Sequence, residues 1–199
     1  MKHTLHVSSI CRPAVGQRSC GDAFKIFPFD DSWIVLVADG LGHGESAAEA
    51  SERCVSHTAK ILEENPGARL EALMQSNHKA LAGTRGAAVA ICRLLPDEGV
   101  LRFCGVGNVA LNIHPERRGL GISMPGVVGY RMRKVKVFET EVATGDLITL
   151  YSDGISSRFS LKSVAALPLD ELVERVEAEH GKDHDDATLV AIRMTLETA

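Results

Sequence analysis

Aspartates set beside glycine or beside another acid carry the strongest chemical signal in this chain. Asp22 stands in Cys20-Gly21-Asp22-Ala23, and Asp39 in Val37-Ala38-Asp39-Gly40. Asp153 stands in Tyr151-Ser152-Asp153-Gly154, and Asp185 with Asp186 precedes Ala187-Thr188-Leu189. A carboxylate directly beside a buried strand is costly unless it is paired or ligated. A glycine after it permits a tight turn and brings a backbone carbonyl close to whatever the carboxylate binds. Strand ends that converge would gather these acids into a cluster with no sulfur or imidazole. Such a cluster suits hard cations, Mg²⁺ or Mn²⁺, held by oxygens and several waters. A single Asp-Gly step is ordinarily just a turn. Repetition argues for more, because Asp39-Gly40 and Asp153-Gly154 follow apolar strands with the same local pattern.

The turn Asp39-Gly40-Leu41-Gly42-His43-Gly44 leads into a helical segment. It is not a P-loop, because no Gly-Lys-Ser/Thr follows. It is not a dinucleotide fingerprint either, because the third-glycine spacing is wrong and no matching acid lies about 20 residues on. An anion could still bind at the helix N-terminus.

The elements that must position these residues follow from hydrophobic patterning. Leu5 to Ile10 alternates weakly, as an edge strand would. Phe24 to Phe29 and Trp33 to Ala38 flank the polar turn Asp30-Asp31-Ser32, which is a hairpin signal. Trp-Ile-Val-Leu-Val-Ala is apolar throughout, so both faces of that strand should be buried. Gly44 to Glu64 and Arg69 to Leu81 read as helices separated by Asn65-Pro66-Gly67. Strands are expected at Ala87 to Leu95, Val100 to Gly105, Val109 to His114, Val135 to Glu141 and Leu147 to Ser152. A third amphipathic helix spans Leu169 to Glu179, and Thr188 to Leu196 is a closing strand. Helices grouped between blocks of adjoining strands argue for an α+β fold of layered antiparallel sheets rather than alternating βαβ units.

Composition bounds the class. The 199 residues carry 22 basic and 26 acidic side chains, a formal charge of −4. One domain spanning 1–199 is expected at about 150 residues per domain. The mild acidity argues against nucleic-acid or anionic-membrane partners. The N-terminus has no apolar signal segment, and apolar runs of about seven residues are far below the roughly 20 needed to cross a bilayer. The five cysteines show no CxxC spacing. They read as reduced, buried thiols, so a cytoplasmic protein is expected.

The four acidic motifs together resemble those of the metal-dependent serine/threonine phosphatases, the protein phosphatase 2C group. Gly42-His43-Gly44 and the Asp185-Asp186-Ala187-Thr188 ending are most similar to its bacterial SpoIIE-like branch. The order and spacing also match: 17 residues from Asp22 to Asp39, 114 more to Asp153 and 32 more to Asp185. The resemblance runs from about residue 20 to 196. It is greatest to small RsbX-type members without sensor domains, with Arg85-Gly86-Ala87 and Val106-Gly107-Asn108-Val109 also similar.

The resemblance implies an αββα four-layer sandwich, two antiparallel sheets flanked by helices. It implies two ions, Mn²⁺ or Mg²⁺, bridged by Asp39. Asp22 and the Gly40 carbonyl would serve one side, directly or through water, and Asp153 and Asp185 the other. Asp185 is preferred to Asp186, because the first acid of the paired motif is the family's ligand. Asp39 and Asp153 would be the catalytic carboxylates. A water between two divalent ions would attack phosphorus in line. That agrees with the absence of a nucleophile motif, since the chain has neither Cys-x5-Arg nor Gly-x-Ser-x-Gly. The implied substrates are phosphorylated STAS-domain proteins of a stressosome, and the lack of a sensor domain in cis leaves regulation to partners or expression. Two other classes stay open: a phosphoprotein-binding pseudophosphatase, and a hydrolase of small phosphate esters.

Three positions depart from the wider pattern. Leu41 stands where eukaryotic members carry a histidine, and His43, two residues on, is read as a structural residue at the helix start. Asn108 replaces a common aspartate and is expected in a turn or in a hydrogen bond behind the ligands. Arg18, four residues before Asp22, is either a phosphate contact or a solvated surface arginine. The basic run Arg131, Arg133, Lys134 and Lys136 reads as a solvated edge that blocks sheet-to-sheet pairing.

Overall fold

The structure, a computed structural model, describes residues 3–117 and 120–196. The chain opens with strands β1 (His3–Arg12), β2 (Asp22–Pro28) and β3 (Trp33–Gly40), followed by helices α1 (Glu45–Glu64) and α2 (Leu70–Ala80). Strands β4 (Ala87–Leu95), β5 (Val100–Val106) and β6 (Ala110–His114) come next, then the short pair β7 (Gly126–Val127) and β8 (Arg131–Met132). Strands β9 (Phe138–Glu141) and β10 (Leu147–Tyr151), helices α3 (Leu161–Val164) and α4 (Leu169–His180), and strand β11 (Ala187–Leu196) complete it.

Two antiparallel sheets result. One has the order β1-β11-β10-β6, the other β2-β3-β4-β5-β9. Helices α1 and α2 cover the second sheet, while α3 and α4 cover the first. This is the α+β, αββα four-layer sandwich expected from the motifs. β1 is an edge strand, as its weak alternation implies.

Alternation within the strands explains the layering. In β3, Ile34, Leu36 and Ala38 face the α1–α2 layer, whereas Val35 and Val37 face the opposite sheet. Successive side chains point to opposite faces of a strand. A strand sandwiched between two layers therefore needs apolar residues at every position, and Trp33 to Ala38 supplies them. In β10, Ile148 and Leu150 enter the layer between the sheets, while Leu147 and Tyr151 face the α3–α4 layer. In β11, Val190, Ile192 and Met194 face inward and Leu189 and Ala191 outward.

Three details differ from the sequence expectations. The strand expected from Val135 begins at Phe138. Val135 and Val137 instead pack against the α1–α2 layer, so burial takes them out of the ladder. The pair β7–β8 and the short helix α3 carry too few periodic residues to announce themselves. The thiols also divide: Cys54, Cys92 and Cys104 are buried, but Cys11 is exposed and Cys20 half-buried. Cys11 lies on an edge strand, and Cys20 in the connection before β2.

Candidate metal centre

The acids collect where the layer between the sheets ends. Asp22 and Asp39 are cross-strand partners in the β2–β3 register. A cross-strand pair shares a face. Asp39 follows Val35 and Val37 in alternation, so both carboxylates extend the inter-sheet face beyond its apolar part. From the other sheet, Ser152 follows Ile148 and Leu150 on the same face. Its hydroxyl donates to Asp22 Oδ2 at 2.6 Å, joining the two sheets. Ser152 Oγ also accepts the Thr188 N–H at 3.0 Å, which ties the start of β11 to this point. Asp153 follows β10, and Asp185 and Asp186 precede β11, so each sheet contributes acids to one end of the sandwich.

Two glycines fix the turns after the acids. A Cβ on Gly40 would fall on the backbone carbonyl of Ala47 in α1. A Cβ on Gly154 would fall on the backbone carbonyl of Asp186. Each Asp-Gly step therefore lets one backbone press against another, which no other residue allows. Packing sets the direction of both carboxylates.

The electrostatics are strained in one direction. Burial pushes the Asp39 carboxyl up to about 8, and repulsion from Asp22, Asp153, Asp185 and Asp186 adds to it. Burial likewise raises Asp22 to about 6, opposed by the Ser152 hydrogen bond and reinforced by Asp186 and Asp185. Asp185 is shifted upward by burial and by Asp153, with Lys182 partly offsetting the effect. Like charges this close cannot all ionise without a counter-charge. Lys182 supplies some of it by donating from Nζ to the Asp153 carbonyl.

The residues fit a hard divalent cation. Asp22 Oδ1 and Asp186 Oδ2 are buried and have no hydrogen-bond partner. Unpaired buried carboxylate oxygens are rare unless something binds them. Among the described residues, no group of three or more His, Cys, Asp or Glu side chains is arranged to hold an ion by itself.

The paired acids divide their work. Asp186 is 3% exposed, accepts the Ala14 N–H through Oδ1 at 2.9 Å, and packs its Oδ2 beside Gly21. Asp185 is half-buried, stays near Asp153, and accepts the Asp186 N–H at 3.0 Å. Asp186 thus pins the loop, and Asp185 is the more open of the two.

Other positions are also placed. Asn108 Nδ2 donates to Asp153 Oδ2 at 2.6 Å. His43 and Arg18 are exposed. The sequence reading passed over Arg85 except as part of a similar tripeptide. Its guanidinium Nη1 lies 2.8 Å from where a Cβ on Gly42 would stand, over the turn that follows Asp39. The Leu41 N–H bonds to the Gly86 carbonyl at 3.0 Å, which holds that arginine at the turn after Asp39. Arg85 is exposed and has no ion pair among the described residues.

Among the described residues, no helix is long and apolar enough to cross a membrane. No curated protein sequence matches the chain. Solved structures do. One described as "The bacterial stressosome: a modular system that has been adapted to control secondary messenger signaling" superimposes at TM-score 0.87 and 29% identity, covering 96% of this chain and 100% of that one. RsbX in complex with magnesium matches at TM-score 0.83 and 21% identity, over 98% of this chain and 97% of that one. The catalytic domain of the serine/threonine phosphatase PstP with two manganese ions matches at 0.73 and 17%, over 98% and 100%. The last two share the fold at identities too low to carry more. A family profile described as Stage II sporulation protein E (SpoIIE) matches residues 30–195, most of the chain. The chain therefore belongs to the SpoIIE family.

Proposed function

We propose that the chain, acting as one catalytic domain over 1–199, removes phosphate from phosphoserine or phosphothreonine in STAS-domain proteins of a stressosome. One observation carries the hydrolytic reading: acids from both sheets meet at one end of the sandwich and repel one another, with an unpaired buried oxygen on Asp22. The partner reading is supported by the similarity to a structure described as belonging to the bacterial stressosome. A cytoplasmic location accords with it.

The donors would be Asp22, Asp39, the Gly40 carbonyl, Asp153 and Asp185, serving two ions, Mn²⁺ or Mg²⁺. When bound, such ions supply a water of lowered pKa and neutralise phosphoryl charge. The chain's own residues do the rest. Asp39 stays ionised only when a cation offsets its neighbours, so it couples the charge of the site to its occupancy. Asn108 holds one oxygen of Asp153. Ser152 fixes Asp22 in the same way. Arg85 stands at the rim, where its forked N–H groups suit two phosphate oxygens. Positioning and charge are what phosphoryl transfer asks of a protein.

The experiment is Mn²⁺-dependent phosphate release from phosphorylated STAS proteins, with Asp39→Asn and Asp153→Asn as controls. Loss of release in both variants and in excess chelator is expected. Undiminished release in either variant would sink the metal mechanism. Turnover of small esters with no activity on phosphoproteins would make the chain a small-molecule hydrolase. Phosphoprotein binding without any turnover would make it a pseudophosphatase.

A further inference from the structure

Two thiols lie outside the apolar layers and beside each other. Cys11 Sγ and Cys20 Sγ are 3.6 Å apart. Cys11 is exposed and its Sγ also donates weakly to the Asp22 carbonyl at 3.5 Å. Cys20 is half-buried and precedes Asp22 by two residues. The other three thiols are buried in the packed layers.

We propose that Cys11 and Cys20 form a reversible dithiol–disulfide site, oxidised by a peroxide, that closes the loop between β1 and β2 and thereby tunes the adjoining acid cluster. The backbone at Cys11 is held by its pairing with Thr188 in β11. Cys20 lies in the loop between the two strands, outside the ladder. Bringing the sulfurs from 3.6 Å to bonding distance, about 2.05 Å, needs a shift of well under one residue's length. The closed ring spans only residues 11 to 20, so it restrains this loop and little else.

The chemistry balances. The exposed Cys11 thiolate attacks one peroxide oxygen, the O–O bond breaks, and a sulfenic acid forms with loss of hydroxide. The Cys20 thiolate then attacks the Cys11 sulfur, the S–O bond breaks, and the S–S bond forms as hydroxide leaves; the two protons given up when the thiols ionise convert both hydroxides to water. Two thiols and one hydrogen peroxide become one disulfide and two waters. Two electrons pass from the sulfurs to the peroxide, and a dithiol reductant returns them. In a reducing compartment, disulfides that do form are usually transient or redox-sensing.

The loop touches both halves of the acidic site. The Ala14 N–H bonds to Asp186 Oδ1 and the Val15 N–H to the Asp183 carbonyl at 2.8 Å. Arg12 reaches Glu177 through Nε and the Asp185 carbonyl through Nη1. At the other end, the Gly21 carbonyl accepts the Gly40 N–H at 3.0 Å. Drawing Cys20 toward β1 moves the backbone that leads directly into Asp22. That coupling rests on the metal-site reading proposed above, whereas formation of the bond does not.

The test begins with metal-free protein treated with hydrogen peroxide under native conditions. Two thiols should disappear, the chain should stay monomeric on a non-reducing gel, and peptide mapping should show a Cys11–Cys20 link lighter by two hydrogens. Dithiothreitol should reverse it. In Cys20→Ser, Cys11 should accumulate as a sulfenic acid trapped by dimedone. Persistence of all five thiols, a link between chains, or a link to a buried cysteine would overturn the site. Mn²⁺ titration of the reduced and oxidised forms by calorimetry should give affinities differing at least about threefold; equal affinities would overturn the coupling. The mapping reads the same whether or not the chain hydrolyses phosphoproteins.

Discussion

Asp22 and Asp146 are buried almost equally, at 4% and 3% exposed, yet the protein treats them in opposite ways. Asp146 is fully served. Arg117 grips it through Nε at 3.2 Å and through Nη2 at 2.7 Å, and the Ala143 N–H adds another at 2.9 Å. Asp22 receives one hydroxyl and keeps an unpartnered oxygen beside further carboxylates. The difference separates a carboxylate that holds a turn together from one kept ready for a ligand. Burying an acid without a partner costs stability. At Asp22 and Asp39 that cost falls where the proposed chemistry needs the charge.

The comparison can be broken most sharply at Asp39. Asp39→Asn should lower kcat by about 10³-fold, a loss comparable to removing a key electrostatic contact at other active sites. The same variant should leave the metal-free protein as stable as before, or more so, because a repelled charge is gone. Asp146→Asn should do the reverse. It should cost about 2 kcal/mol of stability by stripping Arg117 of its carboxylate, with kcat per folded molecule unchanged. Equal losses of activity from the two variants would erase the distinction.

A pH series tests the same contrast without mutation. Asp39 and Asp22 are raised to about 8 and about 6, so the folded, metal-free chain binds protons that the unfolded chain releases. Their contribution favours folding at low pH and turns against it as pH rises through those values. Metal-free protein should melt at least about 3 °C lower at pH 9 than at pH 6. Saturating Mn²⁺ should raise the melting temperature most at the alkaline end, by mass action on the folded state. A Tm of metal-free protein that rises from pH 6 to pH 9 would contradict the raised values.

Smaller effects come from the residues around the acids. Arg85→Ala should raise KM about tenfold for a phosphoprotein, the loss of one charge-assisted contact, and leave Mn²⁺ affinity unchanged. Asn108→Ala should lower kcat about fivefold through one lost hydrogen bond to Asp153.

The acidic centre and most strands were legible in the sequence for one reason. A strand covered on both faces must be apolar throughout, so the polar residues that interrupt it at its end stand out, as Asp39 does after Trp33 to Ala38. The β2–β3 hairpin signal even places Asp22 near Asp39, because a short turn sets the register. Other features were hidden because they depend on contacts distant in sequence. Arg85 gains its position from a hydrogen bond between Gly86 and Leu41, which no local pattern encodes. The division between Asp185 and Asp186 depends on the Ala14 N–H, some 170 residues away in the chain. Cys11 was read as buried because the strand around it is half apolar, but β1 is an edge and turns that residue to solvent.

The closure of the inter-sheet layer behind the acids has a geometric consequence. Val37, Leu150 and Val190 form a solid floor with no exposure, so nothing reaches the carboxylates from beneath. On the proposed function, a phosphorylated side chain would arrive, and its alcohol depart, from the side away from that floor. Such a site selects by protrusion. A phosphate borne on a projecting loop or helix end can enter to the depth of the acids, and the same phosphate recessed in a folded partner cannot, whatever residues surround it.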